Sequence, residues 1–325
     1  MTACVPQKRF HAARGTCWSL RTFVLLAVLV LLAVTAQTAQ AGSTMSNWPQ
    51  VALSKDKTPI SYEVYGSGEP TLILVHGWST DARYWRLQVE YLARKYRVVA
   101  LDLAGHGHSG LTREDYSMQA FGEDVRAVAE AVGSSTIILV GHSMGGQVIA
   151  EAARLMPEKV IGLIGVDSYD NIEYPMSRSE MEMVLAPMID DFREASRAFV
   201  ADMLLPSTDP QLRAWILADM SSAPPRVALS ALEEMMDLFV TGKAARVFDD
   251  VKAPVVSING DLWPVNTEAN QRHMHLLETI TIQQSDHFLM LARPHAFNQA
   301  LEQGVHAILR HAAQKETNES GSSLP

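Results

Sequence analysis

Cysteine is nearly absent from this sequence: 325 residues hold two, Cys4 and Cys17. Both precede residue 41, so the rest of the chain can build neither a disulfide framework nor a thiolate metal site. Its stability must come from packing. Basic charge is also in deficit, with 27 Lys and Arg against 36 Asp and Glu and a formal net charge of -9. Such a balance repels phosphate backbones, and no basic run is interleaved with aromatics, which make up only 7% of the residues. Nucleic-acid binding is therefore not expected. No G-x-G-x-x-G or P-loop opens a helix, which argues against a nucleotide cofactor. His106-Gly107-His108 and His273-Met274-His275 are spaced i, i+2, without the carboxylate or thiolate companions of a metal site. The expectation is a chain with no cofactor, no metal and no internal repeat, acting on a small neutral or apolar molecule.

One apolar run stands apart. Residues 23–34 read FVLLAVLVLLAV, preceded by Lys8, Arg9, Arg14 and Arg21 without an acid, and followed by Ala39-Gln40-Ala41. That order describes a secretory signal peptide over residues 1–41 with a small-x-small cleavage site. The run falls short of the roughly 20 residues a spanning helix needs, which favours cleavage over a retained anchor. A mature protein without a membrane span, exported to the periplasm or secreted, is the expectation.

Beyond residue 50 the hydrophobicity is organised. Two short strands, 51–54 and 60–64, are separated by a charged turn and predict an N-terminal hairpin. Compact apolar runs at 72–75, 98–101, 137–140 and 160–166 then alternate with helical periodicity at 83–95, 118–132 and 145–156. Near-continuous apolar strands between helices predict a mostly parallel, doubly wound sheet of about eight strands with both faces covered. The strand rhythm stops for residues 171–248, where Met, Leu, Phe and Ala recur at helical spacing over 179–205, 210–220 and 226–239. It resumes with strands 255–258 and 279–282, a helix near 268–277 and a closing helix over 294–313. The core therefore comprises 42–170 and 249–313, with 171–248 inserted as a helical cap. The polar, Ser- and Gly-rich tail 314–325 is expected to be disordered.

The sharpest motif is Gly141-His142-Ser143-Met144-Gly145, set between an apolar strand and a helix. A serine hydroxyl is a poor nucleophile. It needs a tight turn where a base can take its proton and backbone N–H groups can hold the developing oxyanion. Candidate oxyanion donors are the amides of Met144 and of Trp78, the latter in His76-Gly77-Trp78 after the strand at 72–75. His76 itself reads as a structural histidine. The base is His287, in Ser285-Asp286-His287-Phe288 before the last helix. Asp261, just past the strand at 255–258, is the leading candidate to orient it, and Asp167, past the strand at 160–166, is the alternative. Asp286, beside His287, could raise the pKa of the histidine or simply bond the loop backbone.

These motifs, with Asp102-Leu103-Ala104-Gly105-His106-Gly107-His108-Ser109-Gly110, make the region from Val51 to Ala313 resemble the α/β-hydrolase superfamily. The resemblance is to its capped, single-domain members, which include carboxylesterases, lactonases, carbon–carbon bond hydrolases and cofactor-free haloperoxidases. It implies a Ser143–His287–Asp261 triad and no cofactor, and it does not choose a substrate. An ester or lactone cleaved through an acyl-enzyme is the leading expectation. Carbon–carbon hydrolysis, aminopeptidase-like cleavage and perhydrolysis in the same site remain alternatives, as does a ligand-binding or sensing protein with slow turnover.

Overall fold

The computed structural model describes residues 49–321. The expected signal peptide, with both cysteines, lies outside them. Eight strands form one sheet: β1 (Gln50–Leu53), β2 (Pro59–Tyr65), β3 (Thr71–Val75), β4 (Arg97–Leu101), β5 (Ile137–His142), β6 (Val160–Val166), β7 (Val255–Asn259) and β8 (Glu278–Thr281). Their order across the sheet is β1-β2-β4-β3-β5-β6-β7-β8. β1 and β2 are antiparallel to each other, and β2 to β4; from β4 to β8 every pair is parallel. Every residue of β3, β5 and β7 is buried, as strands covered on both faces must be. The edge strands β1 and β8 are largely exposed.

Helices α1 (Arg86–Leu92), α2 (Met118–Val132) and α3 (Gly145–Leu155) join the first strands, with a 3₁₀ turn at Ala82–Trp85 before α1. Ser117 caps α2 at its N-terminus, and Gly133 ends it in the left-handed conformation, as the sequence demands of a helix with those bounds. The two faces of the sheet can be read from β6, because successive residues of a strand point to opposite sides. A Cβ on Gly162 would collide with Ile308 of the last helix, whereas one on Gly165 would collide with Tyr169. The Tyr169 hydroxyl bonds the Gly146 carbonyl at the start of α3, so α3 and the last helix cover opposite faces.

Between β6 and β7 lie α4 (Arg178–Asp190), α5 (Phe192–Ala201), α6 (Pro210–Met220), α7 (Pro225–Val240) and the short α8 (Lys243–Arg246). The single helical stretch expected over 179–205 is split. Asp191 adopts an extended backbone, and its carboxylate accepts from the Glu194 amide, ending α4 and capping α5. After β7 come α9 (Thr267–His273), the short α10 (Leu289–Ala292) and α11 (Pro294–Gly321). Part of the tail expected to be disordered thus continues α11 to Gly321. The stretch after Ala313 is rich in the helix formers Gln, Lys and Glu and holds no proline or glycine before Gly321. Among the described residues no helix is long and apolar enough to cross a membrane.

Candidate active site

The strand order turns at β3. The chain passes outward to β4 and then returns across to β5, leaving a crevice at the carboxyl ends of β3 and β5, where parallel sheets bind their ligands. Register pairs Val75 with Gly141, and His142 with Val166. The loops after β3, β5 and β6 are therefore neighbours, carrying Trp78, Ser143 and Asp167. Each holds a non-glycine residue in the left-handed region: Ser79 at φ 54°, Ser143 at φ 54° and Asp167 at φ 47°. Such residues each cost on the order of 1 kcal/mol or more and persist where the surroundings force them.

At Ser143 the forcing is visible. Its amide bonds the Val166 carbonyl at 2.9 Å, and its own carbonyl accepts from the Gly146 amide at 2.9 Å. A Cβ on Gly141 would lie 2.3 Å from the Gly145 carbonyl oxygen, and one on Gly145 would lie 2.7 Å from that of His76. Only hydrogen fits at either position, so the motif's glycines permit the turn that presents the serine. Among the described residues, the amides of Trp78 and Met144 donate to no acceptor.

His76 holds the Trp78 loop in place. Its Nδ1 donates to the Gly77 carbonyl at 2.8 Å, and its Nε2 accepts from the Leu103 amide at 2.9 Å. Burial pushes its pKa down to about 4, so the ring is neutral, in keeping with the structural reading from sequence. The Trp78 indole donates to the Ala228 carbonyl of α7 at 2.7 Å and meets Phe192 and Phe199 edge-on, tying the loop to the cap.

His287 and Ser143 line one small cavity of about 40 Å³, closed by Trp78 and by Phe199, Met203 and Met235 of the cap. The Nδ1 of His287 lies 2.7 Å from Oδ2 of Asp167. Since a carboxylate can only accept, Nδ1 donates this bond, which fixes the ring with Nε2 on the side away from Asp167. The other Asp167 oxygen accepts from the Gly260 amide at 2.7 Å, which fixes the carboxylate in its buried position. The backbone of the histidine is held as well. Its amide donates to the Met203 carbonyl at 3.2 Å, and its carbonyl accepts from Nε2 of His142 at 2.9 Å. Burial, then the nearby His287, lowers the His142 pKa well below the ordinary histidine value, so His142 acts as a neutral donor. Asp286 is buried; it accepts from the Phe288 amide at 3.0 Å and from the Thr208 hydroxyl of the cap. It bonds the loop backbone and the cap.

The sequence favoured Asp261 as the partner of His287, and the imidazole instead bonds Asp167. Asp261 is exposed, and its carboxylate caps the amides of Gln284 and Ser285 at 2.8 and 2.9 Å. Those bonds lower its pKa and account for both of its oxygens. It lies past β7, two strands from Ser143, a displacement of roughly 10 Å at the usual strand spacing. Asp167, the alternative, lies past β6, the strand paired directly with β5. Its position at a strand end was the signal for it; the pairing of β5 with β6 was not legible from the sequence.

Two further histidines are engaged away from Ser143. His106 is buried, with its Nδ1 on the Ala104 carbonyl at 3.0 Å. His273 lies between Asp249 and Glu173, at 2.8 Å from each. Among the described residues no group of three or more His, Cys, Asp and Glu side chains is placed to hold a metal ion.

Comparison with known proteins bears on the family and the fold. A family model described as the alpha/beta hydrolase family matches residues 72–300. The chain is 26% identical over 264 residues to a pimeloyl-[acyl-carrier protein] methyl ester esterase of Aeromonas hydrophila, covering 76% of this chain and 99% of that one. It is 32% identical over 146 residues to a non-heme haloperoxidase of Rhodococcus erythropolis, covering 44% of this chain and 52% of that one. The match to an uncharacterized Mycobacterium tuberculosis protein spans only 40% of that protein's length. A thermophilic esterase from Thermogutta terrifontis superposes with a TM-score of 0.67 at 22% identity, covering 80% of this chain and 99% of that one, a likeness of fold.

Proposed function

The chain belongs to the alpha/beta hydrolase family, and from that premise we propose that it is a serine hydrolase of small, largely apolar carboxylic esters or lactones. One observation carries this reading. Ser143 shares a cavity with a histidine whose far nitrogen is fixed by a buried carboxylate, so the near nitrogen is available as a base.

In the first step Nε2 of His287 takes the hydroxyl proton as Ser143 Oγ adds to the carbonyl carbon. The carbonyl electrons move to oxygen, where the amides of Trp78 and Met144 receive the charge. Losing one such donor costs about 3 kcal/mol of transition-state stabilisation. The imidazolium, stabilised by Asp167, returns its proton to the leaving alkoxide as the tetrahedral adduct collapses to the acyl-enzyme. Water, deprotonated by the same nitrogen, repeats the sequence and releases the acid. For a lactone, the leaving alkoxide stays attached to the acyl group.

The choice of ester over other acyl chemistry rests on the apolar character of the cavity and on similar proteins that are named as esterases or lactonases. A volume of about 40 Å³ is close to that of one liquid water, so an acyl chain can enter only as cap side chains swing aside. Met203, Met220 and Met235, with their flexible thioethers, suit that role. The basic residues, apolar run and Ala39-Gln40-Ala41 of the N-terminus support export.

The test is turnover of a fluorogenic short-chain ester by the protein and by Ser143→Ala. The expected result is a loss of at least about 10³-fold in kcat for the variant. Equal turnover by both ends the serine-hydrolase reading.

A further inference from the structure

A second, larger cavity lies beside the first and shares no lining residue with it. Its volume is about 700 Å³, and its walls include Ser168, Asp170, Tyr174, Phe239, Trp263 and Asn266. Trp263, in its wall, meets the ring of His287, in the wall of the first, edge-on with centroids 5.4 Å apart. Tyr174 and Trp263 are 44% and 37% exposed, so the aromatic walls are accessible from solvent.

Asp170 is the one ionisable acid in this lining, and no Lys, Arg or His is among the lining residues. Among the described residues its carboxyl makes no hydrogen bond and no ion pair. The other carboxylates near this end of the cap are engaged. Glu173 bonds Arg272 and His273, and Glu180 accepts from Tyr174 and Ser177. A partly buried carboxyl without a counter-ion thus shares one recess with three aromatic side chains, a lining suited to a cation. Aromatic faces attract cations, and the chain's net charge of -9 draws them toward its surface.

We propose that this recess binds the ammonium group of a small organic cation, with Asp170 as its counter-ion and Tyr174, Phe239 and Trp263 as its walls. The cation is either part of the substrate or a separate small molecule. Binding is coupled to a proton. Burial, and then the neighbouring Asp167, raise the Asp170 pKa to about 7, opposed by His287, so a bound cation displaces a proton. The groups that face this titration are Asp167 and His287 on the core side; from the cap and α9 sides the lining residues Tyr174, Phe239 and Asn266 carry no charge.

Calorimetric titration of the full chain with choline, and with its neutral isostere 3,3-dimethylbutan-1-ol, tests this. At pH 8 choline should bind saturably at one site, with the isostere at least about tenfold weaker. Between pH 8 and pH 6 choline affinity should fall about tenfold, and the heat at pH 7 should vary with the ionisation enthalpy of the buffer. Asp170→Asn should lose at least about tenfold in choline affinity without changing the isostere. That variant removes an unpaired acid and should fold at least as stably as the parent at pH 8. Trp263→Leu, which keeps an apolar wall, should weaken choline more than the isostere. Equal binding of choline and isostere, or full choline affinity in Asp170→Asn, overturns the proposal. The titrations can be run on Ser143→Ala, so they stand or fall apart from the hydrolase reading. Choline competing with a neutral ester assigns the recess to the substrate, and a rate change without competition assigns it to a separate ligand.

Discussion

The loops after β6 and β7 each carry an aspartate just past a strand, and the two do different work. Asp167 is buried, strained into the left-handed region, and shares its oxygens between one backbone amide and His287. Asp261 is exposed and spends both oxygens on the amides of Gln284 and Ser285. A carboxylate can orient a base only if an oxygen remains for it and water is kept away. Asp167, past the strand β6 that pairs directly with β5, meets both conditions. The second aspartate instead holds the backbone of Gln284 and Ser285, in the loop that leads to His287.

The sharpest way to break this contrast is to make each aspartate an amide. Asp167→Asn removes the acceptor that fixes the His287 tautomer and should lower kcat about 10⁴-fold with little change in KM. Asp261→Asn should keep kcat within about threefold in the same ester assay. A reversal of the two would restore Asp261 as the acid.

A smaller effect, read in stability, tests the turn beside Asp167. Gly141→Ala places a Cβ 2.3 Å from a backbone oxygen that cannot swing away, and overpacking of this kind costs about 1–3 kcal/mol. The denaturant midpoint should fall with the m-value unchanged. An unaltered midpoint would mean that the serine turn is looser than described.

The least effect concerns the latch between the two loops. His273 bridges Glu173, on the chain leaving β6, and Asp249, on the chain entering β7. Burial lowers its pKa, but the bonds to Asp249 and Glu173 outweigh this and leave it above the ordinary histidine value. A raised folded-state pKa contributes stability in full below the unfolded value near 6.5, and the contribution is lost as pH rises through the folded value. His273→Gln should therefore lower the thermal midpoint at pH 6 and not at pH 9. The bridge is partly exposed, so the difference should stay under about 1 kcal/mol. A deficit that grows with pH would contradict the assignment.

The parts of this site that were legible in the sequence are local ones. Gly141 to Gly145 sit between an apolar strand and a helix, and the glycine spacing states the turn without reference to the rest of the chain. The bounds of α2 and α6 were readable for the same reason, through the helical spacing of their apolar residues. The choice between Asp167 and Asp261 was not, because it depends on which strands are neighbours, and sequence order does not state that β5 pairs with both β3 and β6. The break at Asp191 was hidden by a hydrophobic period that carries through from α4 to α5, and the cap on Glu194 is a polar contact that periodicity does not weigh. Asp170 was passed over because its meaning is an absence of partners, which only three dimensions reveal.

Ser143 is proposed to be activated by a histidine that Asp167 orients. Labelling with a fluorophosphonate, followed by peptide mapping and by rates for Asp167→Asn and Asp261→Asn, reads that activation directly. The adduct should fall on Ser143, with labelling slowed by orders of magnitude in Asp167→Asn and nearly unchanged in Asp261→Asn. An adduct on another residue, or a rate that depends on Asp261 and not on Asp167, would contradict it.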